Sequence, residues 1–262
     1  MSEKKTALWL RLYAFLAYAY IYLPILLLVI FSFNQQKLNI TWEGFTLRWY
    51  GELFRDNDVR LAVQNTLIIA VASTLAATVI GTMAALALQR YRFPGFIAAE
   101  TLLYIPVIIP EVVMGISLLV FFSMIKFRLG LATITLSHIA FSIPFVTLVV
   151  RARLHGYDKA IEEAAMDLGA NEWVTFWRIT LPTIMPGVLS GSLLAFTLSL
   201  DDYVITYFTA GPGSTTLPLR VFSMVRFAVT PEVNALSTLW VLSVFIILAA
   251  GQLAQRRSAR RV

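Results

Sequence analysis

Residues 158–182 read DKAIEEAAMDLGANEWVTFWRITLP, a charged stretch between long apolar runs. If this stretch is helical, Glu163 and Asp167 lie one turn apart on the same side of the helix. Two like charges at this spacing repel each other, so this side favours a cationic partner. Other residues recur at helical spacing and would form an apolar face: Ile161, Ala164, Ala165 and Leu168. The stretch predicts a short exposed helix made for contact, with an ordinary solvated loop as the alternative.

Gly169 is predicted to end this helix, because glycine adopts a left-handed backbone conformation without a steric penalty. Asn171 can then cap a second helix over residues 172–178. Leu181-Pro182 is predicted to end that second helix. Three aromatic side chains would lie along one side of it: Trp173, Phe176 and Trp177.

The composition indicates that the rest of the chain lies in a membrane. Of 262 residues, 58% are hydrophobic and 14% are charged, which is more apolar surface than a soluble protein can bury. The net charge of +6 then indicates basic cytoplasmic loops rather than nucleic-acid binding. The lack of cysteine excludes disulfides, thiolate metal sites and a cysteine nucleophile, and His138 and His155 alone make a histidine metal cluster an unfavourable hypothesis. We expect one transmembrane domain over residues 1–262.

Six apolar runs are long enough to span a bilayer, which predicts an all-α membrane protein with six transmembrane helices. The first is too long for a secretory signal peptide and is interpreted as an uncleaved span. The second is rich in small residues and should pack inside the bundle, while the third is interrupted by Pro106, Pro110 and Gly115. A short interfacial helix is predicted over residues 47–54. The runs cover residues 7–33, 63–88, 96–122, 131–150, 184–208 and 233–253.

An even number of spans puts both termini on one side of the membrane. Lysine and arginine are more frequent on that side, which also carries residues 158–182. The positive-inside rule therefore predicts that both termini and this loop are cytoplasmic. The basic residues of the C-terminus contribute to this count: Arg256, Arg257, Arg260 and Arg261.

Acidic residues occur inside the apolar runs, where a carboxylate needs a partner or a wet cavity. Asp201 and Asp202 lie about 25 Å along the fifth run, toward its outer end, and Glu111 reaches a similar level. Two hypotheses stay open: a passage for an organic cation, which one of the two aspartates would dominate, or carboxylates bonded to backbone, water or a partner subunit. Nearby rings could add cation–π contacts: Tyr203, Tyr207 and Tyr104.

Other polar residues of the apolar runs and outer loops are predicted to have ordinary roles. His138 is predicted to be a hydrogen-bonded core histidine rather than a proton relay. Arg220 and Arg226, in the last outer loop, are predicted to be solvated or to touch a binding protein.

The charged stretch resembles a known coupling motif. Glu163-Ala164-Ala165, Gly169, Ile179, Leu181 and Pro182 match each defined position of the EAA loop of binding-protein-dependent ABC importer permeases. The text AFTLSLDDYVITYFTAGPG (residues 195–213) and WEGFTLRWYGEL (residues 42–53) is similar to permeases of spermidine and putrescine importers. The likeness covers nearly the whole chain, although relatives with other substrates share parts of the outer motifs.

This resemblance implies the six-helix bundle of a type I ABC importer permease in a bacterial inner membrane. The EAA loop would dock on a cytoplasmic ATPase subunit, present in two copies. Those subunits would bind ATP and magnesium, because this chain has no G-x-x-x-x-G-K-[ST] phosphate loop; it would bind no cofactor and catalyse no reaction itself. A second, non-identical permease and an extracytoplasmic binding protein would complete the importer.

The substrate pathway of such a polyamine permease would include Asp201, Asp202, Glu111, Tyr203 and Tyr207. Two alternatives stay open: an ABC importer permease for another small solute, and a proton-coupled secondary transporter. The EAA-like loop would have no role in a secondary transporter. A membrane-embedded enzyme is a weaker hypothesis, because the sequence contains no nucleophile–base or metal-ligand constellation that supports it.

Overall fold

A computed structural model describes residues 2–37, 41–227 and 229–259. Within these ranges the chain forms twelve α-helices, one π turn and an isolated β-bridge between Asn34 and Phe45. Arg260 and Arg261, counted above among the basic C-terminal residues, lie outside the described residues. The helices are α1 (Ser2–Phe31), α2 (Arg48–Arg55), α3 (Asn57–Arg90), α4 (Phe96–Ile108), α5 (Glu111–Met124), α6 (Leu131–Leu154), α7 (Ala160–Asp167), α8 (Glu172–Thr175), α9 (Leu181–Asp201), α10 (Val204–Thr209), α11 (Leu217–Phe227) and α12 (Pro231–Ala259).

The membrane spans agree in number with the sequence prediction when one bent pair of helices counts as a single span. In the described part of the chain, five helical segments are long and apolar enough to cross a membrane: Trp9–Phe31, Asn57–Arg90, Leu131–Leu154, Glu172–Asp201 and Pro231–Gly251. The bent pair is α4 and α5, which differ in direction by 112°.

The bend of the third span lies at only one of its three predicted interruptions. α4 ends at Ile108, and Pro110 has an extended backbone immediately before α5. Pro106 lies inside α4 and Gly115 lies inside α5, so the prediction that these two residues also interrupt the span is wrong. Pro110 can stand directly before α5 without the loss of a helix hydrogen bond, because the first N–H groups of any helix have no partner within that helix.

By contacts the described chain divides into two compact units. The first contains the residues up to Arg60 together with Arg220–Val244. The second contains Leu61–Leu219 together with the residues from Phe245 onward. The second unit includes the charged loop and the acidic residues of the third and fifth spans.

In the first unit, α2 packs under the segment that follows α1. Trp49 is buried and donates a hydrogen bond from Nε1 to the backbone oxygen of Asn34 (2.8 Å). The hydroxyl groups of Ser32 and Tyr50 lie 2.7 Å apart. The helix predicted over residues 47–54 is therefore confirmed as α2, one residue displaced.

Arg220 forms ion pairs within the first unit, which corrects the prediction that it is merely solvated; its contact with a binding protein stays a prediction. Its Nη2 lies 3.3 Å from Asp56 Oδ2 and 3.5 Å from Asp58 Oδ2. Burial disfavours the charged form of Asp56 and acts to raise its pKa. Hydrogen bonds from the N–H groups of Val59 and Asp58, together with the Arg220 guanidinium, favour the charged form more strongly, so the pKa of Asp56 is lowered. Arg226 is exposed, as predicted.

The core of the second unit is built on close approach between α3, α6 and α9. A Cβ on Gly81 would lie 2.8 Å from Val146 Cβ, and one on Gly191 would lie 3.3 Å from Val146 Cα. Small residues let helix backbones approach in this way. The second span packs on the core along this side, while Leu75, Val79 and Met83 are exposed, so the inside position predicted for it holds for one side of the helix. The buried core residues are Ala77, Ala85, Val146, Val150, Leu154, Ile184 and Ala195.

Candidate functional site

The glycine turn of the charged loop forms as predicted. Gly169 follows α7 with a φ of +91°. Its N–H donates to Met166 O (2.9 Å) and the N–H of Ala170 donates to Ala165 O (3.1 Å), the two bonds of a Schellman motif. Beyond the neighbours of Gly169 in the chain, no described atom lies within 4 Å of the position of a Cβ there. The turn is therefore held by its own backbone.

The helix after this turn is longer than predicted. Asn171 caps it, as expected, by accepting a hydrogen bond from the N–H of Val174 (2.8 Å). The helix does not end at Leu181-Pro182, because α8 continues through a π turn at Phe176–Thr180 into α9. Pro182 is the second residue of α9, a position where a missing N–H is tolerated, and the π turn changes the hydrogen-bond register just before it. The predicted stop is wrong for this reason.

The surface of α7 is open along its whole length. None of its residues, all of which the structure describes, is buried. Ile161 is 49% exposed, and Leu168 just after the helix is 91% exposed. Glu163 and Asp167 are exposed as well. Both the apolar and the acidic face predicted for this helix are thus available to a partner.

The predicted aromatic side chains form one cluster after the turn. The ring centroids of Trp173 and Trp177 lie 5.6 Å apart, and Phe176 lies 5.4 Å from Trp177 and 6.5 Å from Trp173. Trp173 and Trp177 are 69% and 50% exposed. The cluster extends the open surface of the loop toward the start of the fifth span.

Glu162, a residue that the sequence analysis did not single out, joins α7 to two other helices. Its carboxylate pairs with Arg90 at the end of α3 and accepts a hydrogen bond from Thr180 Oγ1, just before α9. Arg90 Nη2 also donates to Thr180 Oγ1 at 3.3 Å. The Glu162 side chain is 13% exposed, whereas the adjacent Glu163 is exposed. Two neighbouring carboxylates therefore have opposite environments.

The fifth span ends earlier than predicted. α9 ends at Asp201, Asp202 has an extended backbone (φ −61°, ψ 118°), and α10 begins at Val204. The Asp202 carboxylate accepts hydrogen bonds from the N–H groups of Thr206 (2.8 Å) and Ile205 (3.4 Å). Aspartate favours such local bonds to backbone N–H groups over a continuous helix. The break at Asp202 corrects the predicted helix to residue 208.

Asp202 is part of a buried polar network. Its Oδ1 also accepts a hydrogen bond from Thr206 Oγ1 (2.8 Å), and His138 Nε2 lies 3.2 Å from the same oxygen. His138 Nε2 is 2.9 Å from Thr206 Oγ1, and Nδ1 is 2.7 Å from Ser199 Oγ. Ser199 Oγ lies 3.0 Å from Ser73 Oγ. No member is more than 9% exposed. The network joins α3, α6, α9 and α10, and the prediction of a hydrogen-bonded core histidine is confirmed.

The other predicted pathway residues lie at the surface of the second unit. Asp201, Glu111 and Tyr207 are exposed. Glu111 is the first residue of α5, which packs against α10, and it is close enough to Asp201 and Asp202 for their charges to repel its own. The rings of Tyr203 and Tyr207 lie 5.7 Å apart. The group offers negative charge and aromatic faces; within the described residues, no group of three or more acidic or histidine side chains is placed to bind a metal ion.

Tyr104 belongs to a different cluster, which corrects its predicted place beside the acidic residues. The Tyr104 hydroxyl accepts a hydrogen bond from Arg151 Nη1 (3.0 Å). Arg151 Nη1 also pairs with Glu100 Oε1 (2.5 Å). Arg151 follows His138 by about 20 Å along α6, so this cluster lies near the other end of the span. The sequence held no signal for these pairs, which join residues on different helices.

Sequence comparison identifies relatives over nearly the full length of the chain. A family model described as the binding-protein-dependent transport system inner membrane component matches residues 77–262. The spermidine/putrescine transport system permease protein PotC of Escherichia coli K12 is 44% identical, over 91% of this chain and 90% of that protein. The putrescine transport system permease protein PotI of the same strain is 45% identical, over 97% of this chain and 93% of that protein.

Structure comparison finds the same fold in solved transporters. A bacterial ABC transporter involved in the import of the acidic polysaccharide alginate contains a chain with a TM-score of 0.78 and 20% identity, covering 97% of this chain and 96% of that one. The MetNI methionine ABC transporter contains a chain with a TM-score of 0.62 and 20% identity, covering 82% and 99%. The described helices therefore have the fold of the membrane subunit of an ABC importer.

Proposed function

This chain belongs to the family of binding-protein-dependent transport system inner membrane components, and on that premise we propose that it is the permease for a polyamine such as spermidine or putrescine. It is a membrane-spanning permease subunit of an ABC importer. The observation that carries the polyamine proposal is the 44–45% identity, over more than nine-tenths of this chain, to relatives named as spermidine/putrescine and putrescine permeases. The exposed acidic and aromatic group in the second unit supports a cationic substrate.

Asp201 is the carboxylate that we assign to the substrate, with Glu111, Tyr203 and Tyr207 beside it. A polyamine carries several ammonium groups, and each needs compensating charge when it leaves water. Asp201 is exposed and forms no ion pair with a described residue. The Asp202 carboxylate is already occupied by Thr206 and His138. We therefore assign Asp202 to the structure of the bundle rather than to direct contact with the substrate.

The charged loop is the element that we assign to energy coupling. Its open α7 surface would dock into a groove on a cytoplasmic ATPase subunit, which the importer contains in two copies. Those subunits bind ATP and magnesium and hydrolyse the ATP, while this chain binds no cofactor. The EAA residues Glu163, Ala164, Ala165, Gly169, Ile179, Leu181 and Pro182 form this coupling segment.

The rest of the importer is assigned from the same premise. A second, non-identical permease pairs with this chain, and an extracytoplasmic binding protein delivers the polyamine to the outer, acidic end of the pathway. Both termini and the charged loop lie in the cytoplasm, which the excess of lysine and arginine on that side supports. Alternating outward- and inward-facing states then carry the substrate across.

The test is uptake by the assembled importer in proteoliposomes that contain ATP, supplied with loaded binding protein and labelled putrescine or spermidine. We expect ATP-dependent uptake of the polyamine that persists when a protonophore removes the proton gradient. Asp201→Asn should slow uptake about 2- to 5-fold at equal complex levels, the effect of losing roughly 0.5–1 kcal/mol from a solvent-accessible ion pair. The matched control is Glu43→Gln, which removes an exposed charge from the first unit.

Each alternative predicts a different result in this experiment. Competition by an uncharged or anionic solute, with no polyamine uptake, would indicate an importer for another substrate. Uptake that follows the proton gradient without ATP would indicate a secondary transporter. If Asp201→Asn and the double variant Asp201→Asn/Glu111→Gln both match the Glu43→Gln control, these carboxylates do not line the pathway.

A further inference from the structure

We propose that Arg90, Glu162 and Thr180 form a positioning joint that transmits movement of the coupling helix α7 to α3 and α9. This inference rests on the proposed coupling function of the loop. It assigns a role to Glu162, which lies outside the EAA residues and beside the docking face. We call the three side chains the Glu162 joint.

Side-chain bonds in this joint attach α7 to α3 and to the base of α9. No residue of α7, which the structure describes in full, is buried, and its packing contacts are with α8 and with the π turn that follows α8. On its C-terminal side it meets the Gly169 turn, which only its own backbone bonds hold. Glu162 is the residue of α7 that bonds to α3 and to the base of α9. A force on α7 therefore reaches α3 through the Glu162–Arg90 pair, and reaches α9 through Thr180 together with the contacts of α7 with the π turn.

The chemistry of the joint suits a rigid connection. One carboxylate receives a guanidinium and a hydroxyl, and charge-assisted bonds of this kind are stronger than neutral ones. Thr180 is fully buried and the side chain of Glu162 is 13% exposed, so water competes poorly for the bond between them, whereas the Arg90 side chain is 33% exposed. Burial, with the charge of Glu162, also raises the pKa of the Tyr157 phenol, although the side chain of Thr180 opposes this. Tyr157 thus stays neutral beside the joint.

The joint holds the same two helices that meet again at the other end of the unit. Arg90 ends α3, and Ser73 lies about 25 Å back along that helix. Thr180 precedes α9, and Ser199 lies about 28 Å further along it. Ser73 and Ser199 bond to each other in the network around Asp202. Two packed helices fixed at both ends carry a displacement from the loop toward the acidic residues as one body.

Adjacent carboxylates then have separate duties. Glu163 is exposed and belongs to the face that the ATPase subunit would grip. Glu162 is turned into the chain and connects that face to the spans. Loss of Glu163 should weaken docking, whereas loss of Glu162 should leave docking intact and let α7 move without the spans.

The experiment measures, in the reconstituted importer, how much polyamine is transported per ATP hydrolysed and how much ATPase subunit copurifies. Glu162→Gln keeps the side-chain shape and removes the charge, and Thr180→Val keeps the shape and removes the hydroxyl. We expect both variants to retain the ATPase subunit and its hydrolysis of ATP. Transport per ATP should fall about 5-fold, which is the low end of measured coupling between sites. Glu163→Lys should lose ATPase subunit instead. Glu43→Gln, which removes an exposed charge from the first unit, should match the wild type.

A charge swap provides the rescue. Glu162→Arg alone places two cations together and should uncouple the importer, and adding Arg90→Glu should restore transport per ATP. An unchanged ratio in both Glu162→Gln and Thr180→Val, or loss of the ATPase subunit in Glu162→Gln as in Glu163→Lys, would overturn the joint. If Glu162→Gln does not assemble, Thr180→Val alone decides. A wild-type importer that shows no ATP-coupled uptake would instead overturn the proposed function, and the joint with it.

Discussion

Two of the helix breaks in the second unit, at Gly169 and at Asp202, are held in different ways. At Gly169, two backbone hydrogen bonds close the turn, and the space around it is open. At Asp202, local bonds from Ile205 and Thr206 hold the break together with side chains from other helices, His138 of α6 and, through Ser199, Ser73 of α3. The first break needs only its own residues, whereas the second also uses partners from the folded bundle.

This difference separates an exposed surface, which we assign to a partner, from a fixed part of the bundle. The loop around Gly169 leaves its apolar and acidic faces exposed. The junction around Asp202 buries one carboxylate and leaves its neighbour Asp201 exposed. The two helix breaks therefore have different roles, and substitutions at Gly169 and at Asp202 should show their effects in different assays.

The largest effect is expected at the buried junction. Asp202→Ala removes the acceptor of Thr206 and the partner of His138, and each buried donor left without its partner costs about 1–3 kcal/mol. We expect the thermal midpoint of the purified complex to fall by several degrees or the complex to be lost during purification. Asp201→Ala, at the exposed neighbour, should leave the midpoint within the error of the measurement.

Equal midpoints for the two alanine variants would contradict the assignment of Asp202 to the structure. A second variant separates charge from shape: Asp202→Asn keeps an oxygen for the Thr206 N–H but removes the charge. We expect it to fall between the wild type and Asp202→Ala. If it were the least stable of the three, the hydrogen bonds to Thr206 would not be what holds the junction.

A smaller and purely local effect is expected at the open turn. Gly169→Val places a β-branched residue at a φ of +91°, and a left-handed conformation costs an ordinary residue about 1–2 kcal/mol. Because there is space for the side chain, the strain stays in the backbone of the turn. We expect a normal thermal midpoint for the complex and a lower ATPase stimulation by loaded binding protein.

Gly156→Val is the matched control for this substitution. Gly156 also has open space around it, but its φ is not left-handed. Its variant should therefore stimulate ATP hydrolysis as the wild type does. Equal loss of stimulation at both glycines would mean that bulk in the loop, rather than the conformation at Gly169, is what matters.

The predictability of each feature from sequence follows the same division. The Gly169 stop and the Asn171 cap depend on bonds within a few residues, and both were predicted correctly. The spans were predictable because a long apolar run has few alternatives in a bilayer. The predicted helix end at Leu181-Pro182 was wrong because a π turn lets the helix continue past Pro182. The sequence contains no signal for this π turn.

Long-range partners were the part that the sequence could not provide. Glu162 and Arg90 are 72 positions apart, and Asp202 and His138 lie on different spans. Helical position and the EAA pattern single out Glu163, but nothing in the sequence indicates that Glu162 has partners on other helices, or which of Asp201 and Asp202 is buried. Two adjacent helical positions cannot face one path equally, so one aspartate was predicted to dominate; only the packing of α6 and α10 identifies which one is buried.

The smallest effect is expected at the Asn171 cap, where a single local bond is at stake. Asn171→Ala removes the acceptor of the Val174 N–H (2.8 Å), and loss of such a cap costs about 1 kcal/mol. Hydrogen exchange on the importer in nanodiscs should show about 5-fold faster exchange in residues 172–175, which is that free energy expressed as a rate ratio. Asn171→Asp retains a side-chain oxygen and should restore protection. The π turn at Phe176–Thr180 and the Glu162 joint hold the base of α9 independently of the cap, so protection within α9 should not change. Faster exchange throughout α9 would show that the cap and the span are one cooperative unit. That result would remove the distinction between a break held locally and one held by the bundle.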